Sequence, residues 1–105
     1  MSQPVIVTAV FHFRPASRDA VLAALRPAVS AVHEELGCEL YALHEAVDGS
    51  FVLIEKWESV ELLDAHGSSP AVETLVGAIG EHLTAPVDVT RLTGIPMGTD
   101  AQGAL

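Results

Sequence analysis

A chain of 105 residues with 14 acidic and 5 basic side chains, net −9, is ill suited to nucleic acid or anionic membranes, because both are held through Lys and Arg. Half of it is hydrophobic and only 18% is charged, which excludes a disordered chain and leaves one domain with one modest core. Cys38 is the only cysteine, so an intrachain disulfide and a multi-cysteine zinc site are both excluded.

The chain opens without a basic leader, and no apolar run approaches membrane-spanning length, so the expected location is cytoplasmic. Val5 to Phe13 is dense in β-branched and aromatic residues and predicts a buried strand that ends at Arg14-Pro15. From Ser17, apolar residues recur at Leu22, Leu25, Val29, Val32 and Leu36, one face of a helix stopped by Gly37. Pro27 falls inside that helix and predicts a kink or a break, since its missing N–H cannot bond the Ala23 carbonyl. Cys38 to Glu45 and Phe51 to Glu58 read as a hairpin through a two-residue Asp48-Gly49 turn. Ser59 caps a short helix that ends near His66. Ser69-Pro70 starts another that runs toward His82. Ala85 to Thr93 predicts the last strand. The domain is therefore placed at residues 1–94, with 95–105 a flexible tail or a dimer arm.

The order β, α, β, β, α, β is that of an α+β ferredoxin-like split βαβ sandwich, with helices on one sheet face. In a monomer the other face should be polar. Here Val5, Val7, Phe11 and Phe13 fall on one side of the first strand and Ile6 and Val10 on the other. The hairpin likewise divides Leu40 and Leu53 from Leu43 and Ile54. Leaving four such side chains in water would forfeit roughly 1.5–3 kcal/mol each, against a typical domain stability of about 5–15 kcal/mol. The expected remedy is a homodimer closed through that face.

A two-residue turn places His44 opposite Leu53, Ala42 opposite Glu55 and Leu40 opposite Trp57, so that His44, Glu55 and Trp57 share a face while Tyr41 opposes Lys56 on the other. His44 beside Glu55 fits either a general base or a polar pair that locks register. Trp57 fits a core anchor or a stacking platform. His66, in the last turn of a short helix, fits a pocket-mouth residue or a solvated terminal histidine. His33, beside Glu34 and Glu35, reads as solvated, and His82 as a surface cap. His33-Glu34 and His44-Glu45 lack the His-Glu-x-x-His spacing, so no metal site is expected. No glycine-rich phosphate loop and no Gly-x-Ser-x-Gly elbow occurs.

With Glu-x-x-Gly-Cys-x-x-Tyr ending at Tyr41, Glu-x-Trp-x-Ser ending at Ser59, and Leu62-Leu63-Asp64-Ala65-His66 following in order, the chain resembles the antibiotic biosynthesis monooxygenase family from Val5 to Thr93. The resemblance implies a dimeric α/β-barrel and oxidation of an electron-rich aromatic, such as a quinol, an anthrone or a polyketide-like ring, by O₂ without cofactor. It carries His66, Tyr41 and Trp57 onto recurrent family positions. A haem-degrading branch of similar fold has Asn, Trp and His where this chain has Ala9, His66 and about Val76, which argues against haem. Sequence and resemblance together assign His66 and His44 as candidate bases and Tyr41, Trp57 and Glu55 as candidate substrate contacts, with no cofactor. A non-catalytic small-molecule-binding or stress-related dimer, or a ring isomerase or cyclase, remains the alternative.

Overall fold

A computed structural model describes residues 3–105; the first two residues of the expected domain lie outside it. The chain forms β1 (Val5–Phe11), α1 (Arg18–His33), β2 (Cys38–Glu45), β3 (Phe51–Trp57), α2 (Val60–Gly67), α3 (Pro70–Ile79) and β4 (Asp88–Leu92). All strand pairs are antiparallel, in the order β2-β3-β1-β4. This is the ferredoxin-like α+β sandwich.

Alternation on the strands fixes the core. Val5, Val7, Ala9 and Phe11 of β1 and Phe51, Leu53 and Trp57 of β3 are buried under the helices. There they meet Val21, Leu25, Ala28 and Val32, one stripe of α1, and Leu75 and Ile79 of α3. Helix α1 runs through Pro27 without the expected break. Ala23 and Pro27 both lie on its exposed side, where water can satisfy the freed carbonyl. β4 is shorter than expected, and all five of its residues are exposed.

The hairpin register differs from expectation by one residue. The loop has three residues rather than two: Ala46 N–H donates to the Ser50 carbonyl (2.8 Å) and Gly49 N–H to the Ala46 carbonyl (2.9 Å). Gly49 closes the turn at φ 90°. His44 therefore opposes Val52, Tyr41 opposes Glu55, and Leu43 opposes Leu53. Because side chains alternate faces, the slip moves all of β2 relative to β3: Tyr41 and Leu43 join the helix side, and His44 leaves it. Beyond the helices, the outer sheet face carries half-buried Val10, Val52 and Ile54.

Residues 95–105 contain no helix or strand. They bend into a hook in which the Thr99 carbonyl accepts from the N–H groups of Gln102 and Gly103. Among the described residues no helix is long and apolar enough to cross a membrane.

Candidate functional site

Between the inner sheet face and helices α2 and α3 lies a cavity of about 270 Å³. Val7, Ala9, Phe11 and Leu53 form its apolar floor, and Leu75 and Val76 of α3 close one side. Tyr41, Glu55, His66 and Arg91 supply its polar groups. A comparable cleft beside the hairpin loop is lined by His12, Arg18, Glu45 and Asp48. Its Arg18 is already paired with Glu45 (3.0 Å).

Local structure explains how His66 comes to be held. The Ser59 hydroxyl accepts from Leu62 N–H (3.2 Å) and starts α2, which places His66 in the last turn of that helix. The turn from α1 into β2 passes through Gly37 at φ 86°, where an added Cβ would lie 2.5 Å from Leu62 Cδ1. The chain thus packs hard against α2 and brings Glu35 to His66, with Nδ1 2.8 Å from Glu35 Oε1. The imidazole lies over the Trp57 ring, centroids 4.4 Å apart and planes 31° apart. Tyr41 meets it edge-on at 5.4 Å. Beneath, Trp57 Nε1–H donates to Glu55 Oε1 (2.9 Å).

The electrostatics separate the roles. A carboxylate at Nδ1 selects the tautomer with its proton there, so Nε2 keeps the lone pair that can take a proton. Glu35 Oε2 is buried and has no hydrogen-bond partner among the described residues. Burial pushes the Glu55 carboxyl above its ordinary range; the Trp57 N–H and the nearby His66 only partly offset this, and Glu35 adds to it. Burial, followed by the Glu55 and Glu35 charges, pushes the Tyr41 phenol well upward. Tyr41 is therefore a neutral O–H donor near neutral pH. The Cys38 thiol is raised by burial and by Glu35, which removes it as a nucleophile.

Of the residues singled out from sequence, Tyr41, Glu55 and His66 come together on the cavity wall. Trp57, fully buried, stands behind them as the surface on which the His66 ring rests. His44 does not join them. It is exposed on the outer sheet face, with Nδ1 3.1 Å from the Ala42 carbonyl. Sequence reading missed Glu35, named there only as a neighbour of His33, and Arg91, which lines the cavity and bonds Asp64 of α2 (2.7 Å). His33 is likewise engaged, Nε2 lying 3.0 Å from the Tyr41 carbonyl. No group of three or more metal-ligating side chains gathers among the described residues.

These features define a small α+β protein, a ferredoxin-like sandwich with a carboxylate-held histidine on the wall of a half-open, largely apolar cavity. The chain belongs to the antibiotic biosynthesis monooxygenase family, whose sequence model matches residues 4–78. Rv0793 of Mycobacterium tuberculosis, provisionally named a monooxygenase, is 41% identical over 93 residues, covering 88% of this chain and 92% of that one. The structure of Rv0793 superposes with a TM-score of 0.84, covering 92% of this chain and 100% of that one. YcnE of Bacillus subtilis, named in the same provisional way, is 28% identical, covering 83% of this chain and 94% of its own. A crystal structure described as an antibiotic biosynthesis monooxygenase is 29% identical with a TM-score of 0.82, covering 88% of this chain and 99% of that one.

Proposed function

We propose that this protein is a cofactor-independent monooxygenase that oxidises a compact electron-rich aromatic with O₂. The observation that carries the reading is the His66–Glu35 pair: a histidine whose Nδ1 is held by a carboxylate (2.8 Å) on the wall of an apolar cavity. Such an arrangement can take a proton from a phenol or an activated methylene, and the imidazolium it forms is stabilised by Glu35. The resulting anion is electron-rich enough to reduce triplet O₂ by one electron. For an anthrone-type methylene, His66 removes one C–H proton, the anion passes an electron to O₂, and the radical pair joins as a carbon-bound peroxide. A proton returns to the distal oxygen. The O–O bond then breaks as the second C–H proton leaves, giving a carbonyl and water; one O₂ is consumed per substrate and its four electrons are accounted for. On this reading the Tyr41 hydroxyl holds the substrate anion's oxygen, and Arg91, shared with Asp64 (2.7 Å), supplies a cation on the same cavity wall. The names of Rv0793 and YcnE support the same reaction class. A volume of about 270 Å³ lies just below the ~300–1,000 Å³ typical of ligand pockets, favouring a few fused rings over an elaborated polyketide. The reading includes a homodimer closed through the outer sheet face.

The test is O₂ consumption by purified protein with a panel of anthrones, naphthols and hydroquinones, in chelator and without added flavin. Activity is expected, with His66→Ala reducing it by about 10²–10⁴-fold. Binding without O₂ uptake would replace the oxygenase with a binding protein, and anaerobic turnover would replace it with an isomerase. O₂ uptake unchanged in His66→Ala would remove His66 as the base.

A further inference from the structure

We propose that Glu55 is the general acid of this site, donating from its carboxyl to the distal oxygen of the peroxide intermediate. This deepens the monooxygenase reading and rests on it. That mechanism needs two proton positions in one pocket, one that accepts and one that donates, and the structure holds two carboxyls in unlike surroundings. Glu35 lies against the His66 imidazole at 2.8 Å, where a cation would be shared. Glu55 sits at 3% exposure with a single neutral donor, Trp57 Nε1–H at 2.9 Å, on its Oε1. Oε2 is then the oxygen left to carry a proton, on a residue that lines the cavity.

Burial favours the neutral form of Glu55, and of the groups that face it Glu35 adds to this. Tyr41 pairs directly across from it on β2, and Cys38 lies further along that strand. Glu35 approaches from the α1–β2 turn and His66 from α2. On β4, Arg91 pairs with Val7, which itself pairs with Glu55, so one strand separates the cation from the carboxyl. Arg91 already bonds Asp64. Burial and the second carboxylate raise Glu55, while the Trp57 N–H and His66 oppose this only in part. A buried carboxyl raised in this way is suited to give a proton, while the carboxylate held against the imidazole is placed to support the base. An ionised Glu55 would also repel the substrate anion that the reaction requires.

The protons close. His66 takes one from the substrate, and Glu55 gives one to the peroxide as the O–H bond forms. The O–O bond breaks as the remaining C–H proton leaves with the departing hydroxide as water. The proton on His66 then passes to Glu55 and restores both groups.

Glu55→Gln keeps an oxygen to accept from Trp57 Nε1–H and removes the acidic proton. With an anthrone that wild type oxidises, total peroxide per O₂ consumed should rise from a trace to the main product, and quinone formation should slow by about 10²-fold or more. A residue needed only for packing would lower O₂ uptake and quinone together and leave that ratio alone. A Glu55→Gln enzyme with wild-type peroxide yield overturns the assignment. Absence of O₂ uptake in wild type instead brings down the monooxygenase reading and this role with it. Infrared difference spectra give an arm independent of turnover: wild type at neutral pH should show a protonated-carboxyl stretch that Glu55→Gln lacks. Its absence from wild type overturns the proposal even if the variant folds poorly.

Discussion

Gly37 and Gly49 have nearly the same backbone, φ 86° and 90°, but unequal surroundings, and this makes a quantitative test of how the site is assembled. An alanine Cβ at Gly49 meets nothing within 4 Å, whereas at Gly37 it would lie 2.5 Å from Leu62 Cδ1 and 2.8 Å from Leu62 Cβ. Gly49→Ala should therefore cost only the left-handed backbone, about 1–2 kcal/mol. Gly37→Ala should cost that plus overpacking against α2, a further ~1–3 kcal/mol, for a total of about 2–5 kcal/mol. On a typical ~5–15 kcal/mol domain that is a large share of the stability. Urea unfolding followed by the fluorescence of the single, fully buried Trp57 reads both variants at one protein concentration. Leu62 precedes His66 by one helical turn, so displacing it should also loosen the His66–Glu35 contact, and Gly37→Ala should lose activity where Gly49→Ala does not. Leu62→Ala removes the Cδ1 contact but keeps Cβ at 2.8 Å, so adding it should recover only part of the steric cost, visible as a favourable coupling of about 0.5–2 kcal/mol. If Gly37→Ala loses no more stability than Gly49→Ala, the α1–β2 turn does not press on α2 and the account of how Glu35 reaches His66 fails.

Two further outcomes are expected. Ile54→Glu puts a charge at the middle of the outer sheet face, opposite Thr8 on β1 and Ala42 on β2. Light scattering should find wild type at twice the 11.0 kDa chain mass and the variant at the chain mass, and a monomeric wild type would refute the proposed dimer. Glu55 also makes stability depend on pH with a defined sign. Its folded-state affinity for a proton is raised above the ordinary carboxyl value of 4.5, so the stability linked to that proton is full below the unfolded value and is lost as pH rises toward the folded one. Relative to wild type, Glu55→Gln should therefore gain stability as pH rises from about 4.5 toward neutrality. Denaturant midpoints of the two proteins that stay in constant ratio across that range would contradict a raised Glu55.

Architecture was legible because it rests on patterns that span many residues. The apolar spacing of α1 and the serine caps at Ser59 and Ser69 each state their element locally, although α1 ends at His33 rather than at Gly37, leaves Leu36 exposed and buries Val21 and Ala28 in place of Leu22 and Val29. The hairpin pairing was not legible, because it hung on one residue of loop length. Asp48-Gly49 reads as a two-residue turn, yet Asp48 Oδ1 accepts from both the N–H (2.9 Å) and the hydroxyl (2.6 Å) of Ser50. That holds a three-residue loop, with Gly49 in the position that closes it. The slip carried His44 away from Glu55 and brought Tyr41 to it. Glu35 was hidden for a different reason: its role depends on α2 docking beside Gly37, a contact between segments far apart in sequence. The one available signal was a carboxylate two residues before a glycine that must turn the chain. Arg91 was hidden because exposed β4 shows no alternation of burial to orient its side chains.

The polar residues enclosed here divide by what they do for the fold. Ser59 caps α2, Ser50 closes the hairpin loop against Asp48, and Ser17 meets His82 Nδ1 at 2.9 Å; each finds its partner within a structural motif. Glu55 and His66 are equally buried, but neither caps a helix or closes a turn. Their company includes Glu35 Oε2, a buried oxygen without a hydrogen-bond partner among the described residues. Leaving such an oxygen unsatisfied costs about 1–3 kcal/mol, and an apolar side chain of similar volume at these positions would pack the same space without that cost. Fold stability therefore argues against this trio, and a protein that keeps it beside a cavity keeps it for what the cavity holds. The shape of the exception is specific: one carboxyl against an imidazole, one in apolar surroundings, and a neutral phenol between them. A binding protein for an apolar ligand would need none of these four ionisable groups. On the proposed reading, a reaction that removes one proton and returns another would use both kinds of carboxyl, and this favours chemistry at the site over storage or transport.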